Sequence, residues 1–334
     1  MNNFSAYSCL SYSFSNSNHI FVAMQGMVVK STGSWYWVRT DDGEYHECRI
    51  RGKFRIQGIK STNPIAVGDR VELFHEGDDY LITEIYPRKN YIIRKSVNLS
   101  KQVHIIASNI DQAFLIVTLA SPPTSVGFID RFLVTAEAYQ IPTILVFNKV
   151  DLYDEFDREF HDEIVDMYTH AGYECIEASA LEHMNIDVLT TKMKDKVTLL
   201  SGHSGVGKST LVNVIDPDLD IATQEVSASH QKGMHTTTFA EMFELDFGGF
   251  IIDTPGIKGF GLVDMEETEL ADYFPDMRRL KGQCKFHNCK HVNEPKCAIK
   301  DAVENDLIHP VRYDSYLAML EDDGNQYREF KYHK

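Results

Sequence analysis

Hydrophobic and polar positions change period along this chain. From about Met24 to Val103, apolar residues fall in short alternating runs: Gly26–Lys30, Trp35–Arg39, Glu44–Ile50, Arg70–Phe74 and Tyr80–Ile85. Thr32-Gly33, Asp41-Asp42-Gly43 and Glu76-Gly77-Asp78 separate them. A period of two punctuated by Gly and Asp predicts strands. About five short strands in roughly 80 residues predict a small barrel of the OB type. From His104 the apolar runs lengthen and alternate with helical stretches. Gln112–Leu119, Thr143–Phe147, Tyr173–Ala178, Lys196–Leu200, Glu241–Asp246 and Phe250–Asp253 read as strands. Gly127–Tyr139, Asp157–His170 and Ser209–Ile215 read as helices, the first with Phe128, Phe132, Leu133 and Ala136 on one side. Buried strands joined by helical crossovers predict a mostly parallel α/β sheet. After about Leu262 the chain turns acidic and helical. It ends in a helix over Val311–Glu321 that carries Tyr313, Tyr316, Leu317 and Leu320.

Composition adjusts this picture in three places. At 334 residues, 43% hydrophobic and 25% charged, the chain has room for two or three ordinary globular domains. No apolar run reaches membrane-spanning length. Residues 1–23 contain no Asp, Glu, Lys or Arg and lack the basic start of a secretory signal. They read as a disordered tail, or as an upstream start to a protein that begins at Met24 or Met27. The net charge of −16 is unevenly spread. Gln25 to Ala107 holds 13 Lys/Arg against 10 Asp/Glu, and the remainder 20 against 39. An RNA contact therefore belongs to the N-terminal segment. There Arg49, Arg51, Lys53 and Arg55 alternate as on one strand face, and Trp35, Tyr36 and Trp37 lie nearby. Two readings stay open: the aromatics stack on bases, or they fill the barrel.

The candidate chemistry lies in the α/β part. Gly202-His203-Ser204-Gly205-Val206-Gly207-Lys208-Ser209, followed by Thr210, is a phosphate-binding loop between a strand and a helix. Its glycines let backbone N–H groups turn inward around phosphate. Lys208 reaches the β- and γ-phosphates, and the Ser209 hydroxyl ligates Mg²⁺. Asp253, in Asp253-Thr254-Pro255-Gly256, holds the ion through water, and Gly256 donates to the γ-phosphate. Asn148-Lys149-Val150-Asp151 also follows a strand. The Asp151 carboxylate accepts from guanine N1 and N2, donors that adenine lacks, which disfavours an ATPase or kinase. Ser179-Ala180 suits a backbone contact to guanine O6. Base reader, phosphate loop and Asp-x-x-Gly occur in that order, a permutation of the Ras-like order. Ile257 stands where Ras-like enzymes carry the glutamine that orients water. His235, in Gly233-Met234-His235-Thr236-Thr237-Thr238, is the chain's candidate to assist hydrolysis, and Thr236 or Thr237 to sense γ-phosphate and Mg²⁺. A GTP-gated RNA-binding module with incidental turnover is the alternative to an enzyme.

Of six cysteines, three cluster with a histidine: Cys284, Cys289, His291 and Cys297 fall within fourteen residues. Three thiolates and an imidazole suit one tetrahedral Zn²⁺ in a closed, structural site. His287 is the rival fourth ligand.

This set of motifs resembles the RsgA (YjeQ) family, and the resemblance runs from about Met24 to the C-terminus. It includes Val67-Gly68-Asp69, Phe286, Glu294-Pro295 and Ala298. The resemblance implies an RNA-binding OB-fold over 24–103, a circularly permuted GTPase domain over 104–262 and a helical zinc domain over 263–334, while the tail over 1–23 has no counterpart in it. It implies GTP hydrolysis stimulated by the small ribosomal subunit and its rRNA, with Mg²⁺ and Zn²⁺ as cofactors. The implied setting is the cytoplasm, with no membrane, in late subunit maturation, as a checkpoint or release factor that displaces another assembly factor. It also implies that Asn148, Lys149 and Asp151 read guanine, that Gly202 to Thr210 hold phosphate and Mg²⁺, and that His235 and Lys208 serve catalysis. Nothing in the chain suggests an obligate dimer. Two positions depart from the expected pattern. Met234 replaces a usual Arg or Lys, and Gly205 stands where potassium-activated GTPases carry Asn. Because Asp253 leads through the second switch into the zinc domain, GTP is expected to set the angle between them.

Overall fold

The computed structural model describes residues 24–50, 64–95, 103–219, 240–253 and 267–321. Five strands come first: β1 (Met24–Ser31), β2 (Tyr36–Thr40), β3 (Tyr45–Ile50), β4 (Arg70–Glu76) and β5 (Asp79–Ile85). They pair in the order β1-β2-β3-β5-β4, and β4 returns to β1 through Met24↔Leu73 to Met27↔Arg70. That closure removes both sheet edges. Val28, Tyr36, Val38, Cys48, Val71, Leu73 and Ile82 fill the barrel, as the alternation requires. The open question about the aromatics resolves residue by residue. Tyr36 is wholly buried in this core. Trp37 packs on the neighbouring α/β core. The Arg49 guanidinium covers the ring of Trp35, 3.7 Å from its centroid. Arg51, Lys53 and Arg55 lie outside the described residues, as do residues 1–23.

An antiparallel hairpin of β6 (Tyr91–Lys95) and β7 (Val103–Ser108) crosses the position where the apolar period changes. The sequence reading missed it, because its strands are short and their apolar residues do not alternate over enough positions. Val67-Gly68-Asp69 fastens this hairpin to the barrel. Buried Asp69 accepts from Ala66 N (2.8 Å), Ser108 Oγ (2.6 Å) and Arg88 Nε (2.5 Å).

The α/β part runs β8 (Gln112–Val117), α1 (Val126–Ala138), β9 (Thr143–Phe147), α2 (Glu155–Ala171), β10 (Glu174–Glu177), α3 (Ile186–Met193), β11 (Val197–Ser201), α4 (Lys208–Ile215), β12 (Glu241–Glu244) and β13 (Phe250–Asp253). The sheet order is β10-β9-β8-β11-β13-β12, parallel except for β12. Separate apolar clusters cover its two faces, so β8, β9 and β11 are buried throughout. The expected helix at Asp157 starts at Glu155, where Asp154 and Asp157 form a reciprocal capping box. Helix α3 was not foreseen; only Leu189 and Met193 of its eight residues are buried. β12 also pairs with β1 at Glu241↔Lys30, which makes barrel and α/β sheet continuous. Arg39–Glu244, at 2.5 Å, reinforces that seam.

The C-terminal segment adds α5 (Pro275–Arg278), α6 (Ala298–Glu304) and α7 (Pro310–Leu320). Its core of Leu270, Phe274, Met277, Ile299, Tyr316 and Met319 borrows Val134 from α1. Helix α7 buries Arg312, Ser315, Tyr316 and Met319. Tyr313, Leu317 and Leu320 pack on the cluster's margin. Arg312, 1% exposed, is bound between Asp276 of α5 (2.9 and 3.1 Å) and Asp130 of α1. Among the described residues no helix is long and apolar enough to cross a membrane.

Candidate nucleotide site and metal centre

The loops that follow β8, β9, β10 and β11 converge at the carboxyl edge of the sheet, where open α/β sheets bind ligands. The phosphate loop joins β11 to α4. Gly207 has φ +90°, and a Cβ there would lie 2.6 Å from Asn148 Nδ2. A Cβ at Gly202, with φ +145°, would lie 2.4 Å from the Ile116 carbonyl oxygen. Only glycine satisfies both demands. Lys208 Nζ donates to the carbonyls of Gly202 and His203, each at 2.7 Å. That brings the ammonium back over the loop's concave side. Val206 is buried beneath, whereas His203, Ser204 and Gly205 are exposed, and Ser209 and Thr210 open α4. The His203 ring stacks on Phe128 of α1, with centroids 3.7 Å apart.

The base-reading loop is built around Asn148, which is 1% exposed. Its Nδ2 donates to Val206 O (2.8 Å), and its Oδ1 accepts from Ala180 N (3.3 Å). One side chain thus ties the loops after β9, β10 and β11 together, with one donor and one acceptor of its amide engaged on backbone. Lys149 takes a left-handed conformation, φ +64°, and its Nζ donates to Ser121 O and Gly205 O, both at 2.7 Å. Buried Val150 anchors the turn, with its N–H 3.4 Å from Ala178 O. Ser179 is buried, and its Oγ accepts from Glu182 N at 3.0 Å. Asp151 Oδ1 is the unmatched group: a buried acceptor with no hydrogen-bond partner among the described residues. A buried oxygen left so costs about 1–3 kcal/mol or more. The oxygen is placed to accept from a donor outside the chain.

The structure therefore brings together Asn148 to Asp151, Ser179-Ala180 and Gly202 to Thr210. Asp253 ends β13 directly beside Leu200 of β11, at the same carboxyl edge. Its side chain, and His235, Thr236, Thr237 and Gly256 entirely, lie outside the described residues. Sequence reasoning missed Ser121 and Phe128. One contributes only a carbonyl and the other read as core, so neither left a motif.

The second cluster gathers Cys284, Cys289, His291 and Cys297, whose ligand atoms all lie within 4.8 Å of one another. Cys284 Sγ is 3.9 Å from Cys297 Sγ, and His291 Nδ1 lies 3.5 Å and 3.3 Å from those two sulfurs. A zinc tetrahedron has edges of about 3.8 Å for S···S and about 3.6 Å for S···N, so the donor set fits. His287 is outside the cluster. Burial pushes the Cys289 thiol up to about 12 and lowers His291, which keeps its imidazole neutral. A cation is what would draw these thiols into thiolate form. Four protein ligands leave no open position. The terminal helix holds the loop: Tyr313 Oη donates to His291 O (2.5 Å) and Tyr316 Oη to Lys290 O (2.8 Å). The Glu294 carboxylate accepts from the N–H groups of Lys290, Val292 and Asn293.

A phosphate loop on a central parallel strand, with the guanine reader upstream of it in the chain, defines a circularly permuted GTPase. Comparison with known proteins extends this. The family model of the RsgA GTPase matches residues 85–263, and that of the RsgA N-terminal domain matches residues 25–80. The small ribosomal subunit biogenesis GTPase RsgA of Christiangramia forsetii is 58% identical over 315 residues, 93% of this chain and 100% of its own. RsgA 2 of Bacteroides thetaiotaomicron is 56% identical over 308 residues, 91% of this chain and 99% of its own. The crystal structure of YjeQ from Thermotoga maritima superposes with a TM-score of 0.75 at 36% identity, over 92% of this chain and all of that one. YloQ, described as a circularly permuted GTPase, gives 0.73 at 30% identity, over 95% of this chain and all of that one. The chain belongs to the RsgA family of GTPases and is a hydrolase acting on GTP.

Proposed function

We propose that this protein acts in biogenesis of the small ribosomal subunit, binding the subunit and its rRNA and hydrolysing GTP there. On this reading hydrolysis is slow alone, is stimulated by the small subunit, and times release late in maturation. The observation that carries the nucleotide assignment is the orphaned Asp151 Oδ1 beside the Asn148 amide that ties the base-reading loop to the phosphate loop. Asp151 selects guanine, the Ala180 N–H shares itself between Asn148 and guanine O6, and Asn148 and Lys149 hold the pocket's shape. Lys208 exchanges its two carbonyl partners for β- and γ-phosphate oxygens as charge builds on them. Ser209, Thr237 and Asp253 would hold Mg²⁺, which supplies charge neutralisation at the phosphates. His235 assists the attacking water, and Thr236 carries γ-phosphate sensing. Cys284, Cys289, His291 and Cys297 would hold one structural zinc.

The support for ribosomal work is threefold: the names of the relatives, the excess of Lys/Arg in the barrel segment, and a closed barrel joined edge to edge with the GTPase sheet. The division 24–103, 104–262 and 263–334, a cytoplasmic monomer, and displacement of another assembly factor belong to the same proposal. The test is GTP hydrolysis by purified protein alone, with small subunits, and with large subunits as control. Strong stimulation by small subunits only is expected; turnover indifferent to both would overturn the reading. In the same assay His235→Ala should keep subunit binding and fail to dissociate. Normal dissociation of that variant would make the protein a GTP-gated binding module instead.

A further inference from the structure

Helix α2 turns a complete core face inward. His161, Ile164, Met167, Tyr168 and Ala171 bury themselves there, so the helix needs no further apolar residues to stay in place. Yet the apolar stripe runs on toward the helix N-terminus through Phe160, 37% exposed, and Phe156, 76% exposed, while Leu152 in the turn before the helix is 52% exposed. Positions 156 and 160 lie one above the other, on the line that continues through Ile164 and Met167. Asp154 to Asp166 supplies seven carboxylates against the single cation Arg158, with Glu159 and Glu163 spaced to flank the two rings. That guanidinium is engaged with the Val150 carbonyl at 3.1 Å. Exposed aromatics rimmed by one sign of charge mark an interaction surface.

We propose that the exposed N-terminal half of α2 docks a Lys/Arg-rich polypeptide segment with apolar residues spaced to cover Phe156 and Phe160. The charge selects the occupant. Nucleic acid brings phosphates to a segment that carries seven carboxylates, and is repelled. A second copy of this chain, with net charge −16, meets the same repulsion. A basic polypeptide gains steering from the rim and burial from the two rings. The surface is separate from the barrel, where the chain's own positive charge lies. It begins at the residue after Asp151, and Arg158 links the helix to the base-reading turn, so the docked segment lies against the guanine pocket's wall.

The probe is a fluorescently labelled synthetic dodecapeptide of Lys and Leu, titrated into the full-length protein. It is expected to bind, with the affinity falling at least about tenfold in Phe156→Ser/Phe160→Ser and several-fold in Glu159→Lys. Subunit-independent GTP hydrolysis should be unchanged in both variants, which shows that they fold. Failure of the peptide to bind, or equal affinity for the double variant, overturns the proposal. A uridine dodecamer that displaces the peptide and binds Glu159→Lys more tightly would assign the face to RNA and overturn it equally. Benzoylphenylalanine placed at position 156 decides the remaining case. Cross-linking to the peptide supports the proposal, and cross-linking to residues 322–334 of the same chain in the peptide's presence overturns it.

Discussion

Asp151 and Gly207 show what a single residue decides at the nucleotide site. Asp151→Asn replaces an acceptor for two donors with a group that offers N–H of its own. GTP affinity should fall by at least about a hundredfold, as for a site built around one hydrogen-bonding pattern. Xanthosine triphosphate, which carries an oxygen at C2, should bind better than GTP, and titration with both nucleotides checks this. Gly207→Ala puts a Cβ 2.6 Å from Asn148 Nδ2 at a positive φ, so either the phosphate loop or the base reader must shift. That variant should lose GTP binding while the fold, followed by circular dichroism, persists. Both positions were legible in the sequence because their chemistry is spelled in a motif. The division of labour inside the motif was not. Asn148 read as a base contact, and its amide also bonds Val206 and Ala180. Those are backbone partners, and backbone carries no residue-type signal.

Helices divide along the same line. The alternation of apolar strands with Gly127–Tyr139 and Asp157–His170 gave the sheet and its crossovers, because strands buried on both faces have an unmistakable pattern. Helix α7 was found, but not which of its residues are buried: Arg312, Ser315, Tyr316 and Met319 are, while Tyr313, Leu317 and Leu320 pack on the cluster's margin. A lone Arg in a sequence reads as solvated surface, and its partners Asp130 and Asp276 lie in α1 and α5, 182 and 36 residues away. Tyr168, Tyr173 and Phe274 close over the guanidinium. Removing Arg312 leaves two carboxylates buried without a cation, so Arg312→Met should cost about 3–5 kcal/mol in urea unfolding. Asp130 makes a second, pH-dependent prediction. Burial raises its pKa, outweighing the lowering effect of Arg312 and of the hydrogen bonds from Ser315 and Tyr168. A carboxyl raised in the folded state contributes stability that is present below the unfolded value of about 3.9 and lost as pH rises through the folded one. Asp130→Asn removes that slope. Its stability relative to the unmodified protein should therefore improve between about pH 4 and pH 8, by urea titration at each pH.

Across the whole molecule the two seams differ in kind. The barrel meets the GTPase sheet by strand pairing at β1–β12, by Val29 and Trp37 on the α/β core, and by surface ion pairs, such as Lys30–Glu241 at 2.7 Å between half-exposed side chains. Such pairs are worth little individually. The C-terminal segment instead meets α1 through the buried Arg312 group and a core that includes Val134. A nucleotide-driven change of angle, which the chain's connectivity suggested, would have to break that group. Any nucleotide-driven movement is therefore expected to leave the α1–α7 contact intact. The metal cluster lies beyond this contact, held to α7 by Tyr313 and Tyr316. Chelation should consequently act locally. Metal analysis should report one zinc per chain before chelation and none after, or none at all in Cys284→Ser. Residues 284–297 should then become the new site of proteolytic cutting, since metal binding is what closes a loop with so small a core. GTP affinity should stay within about twofold, because Asp151 and the phosphate loop depend on the sheet and on α1, which Arg312 still secures. In Arg312→Met that insulation is gone. Chelation of the variant should lower GTP affinity as well, and the sum of the two single effects on stability should fall short of the combined one. If chelation alone weakened GTP binding as much as it does in Arg312→Met, the contact between α1 and α7 would not be what separates the metal centre from the nucleotide site.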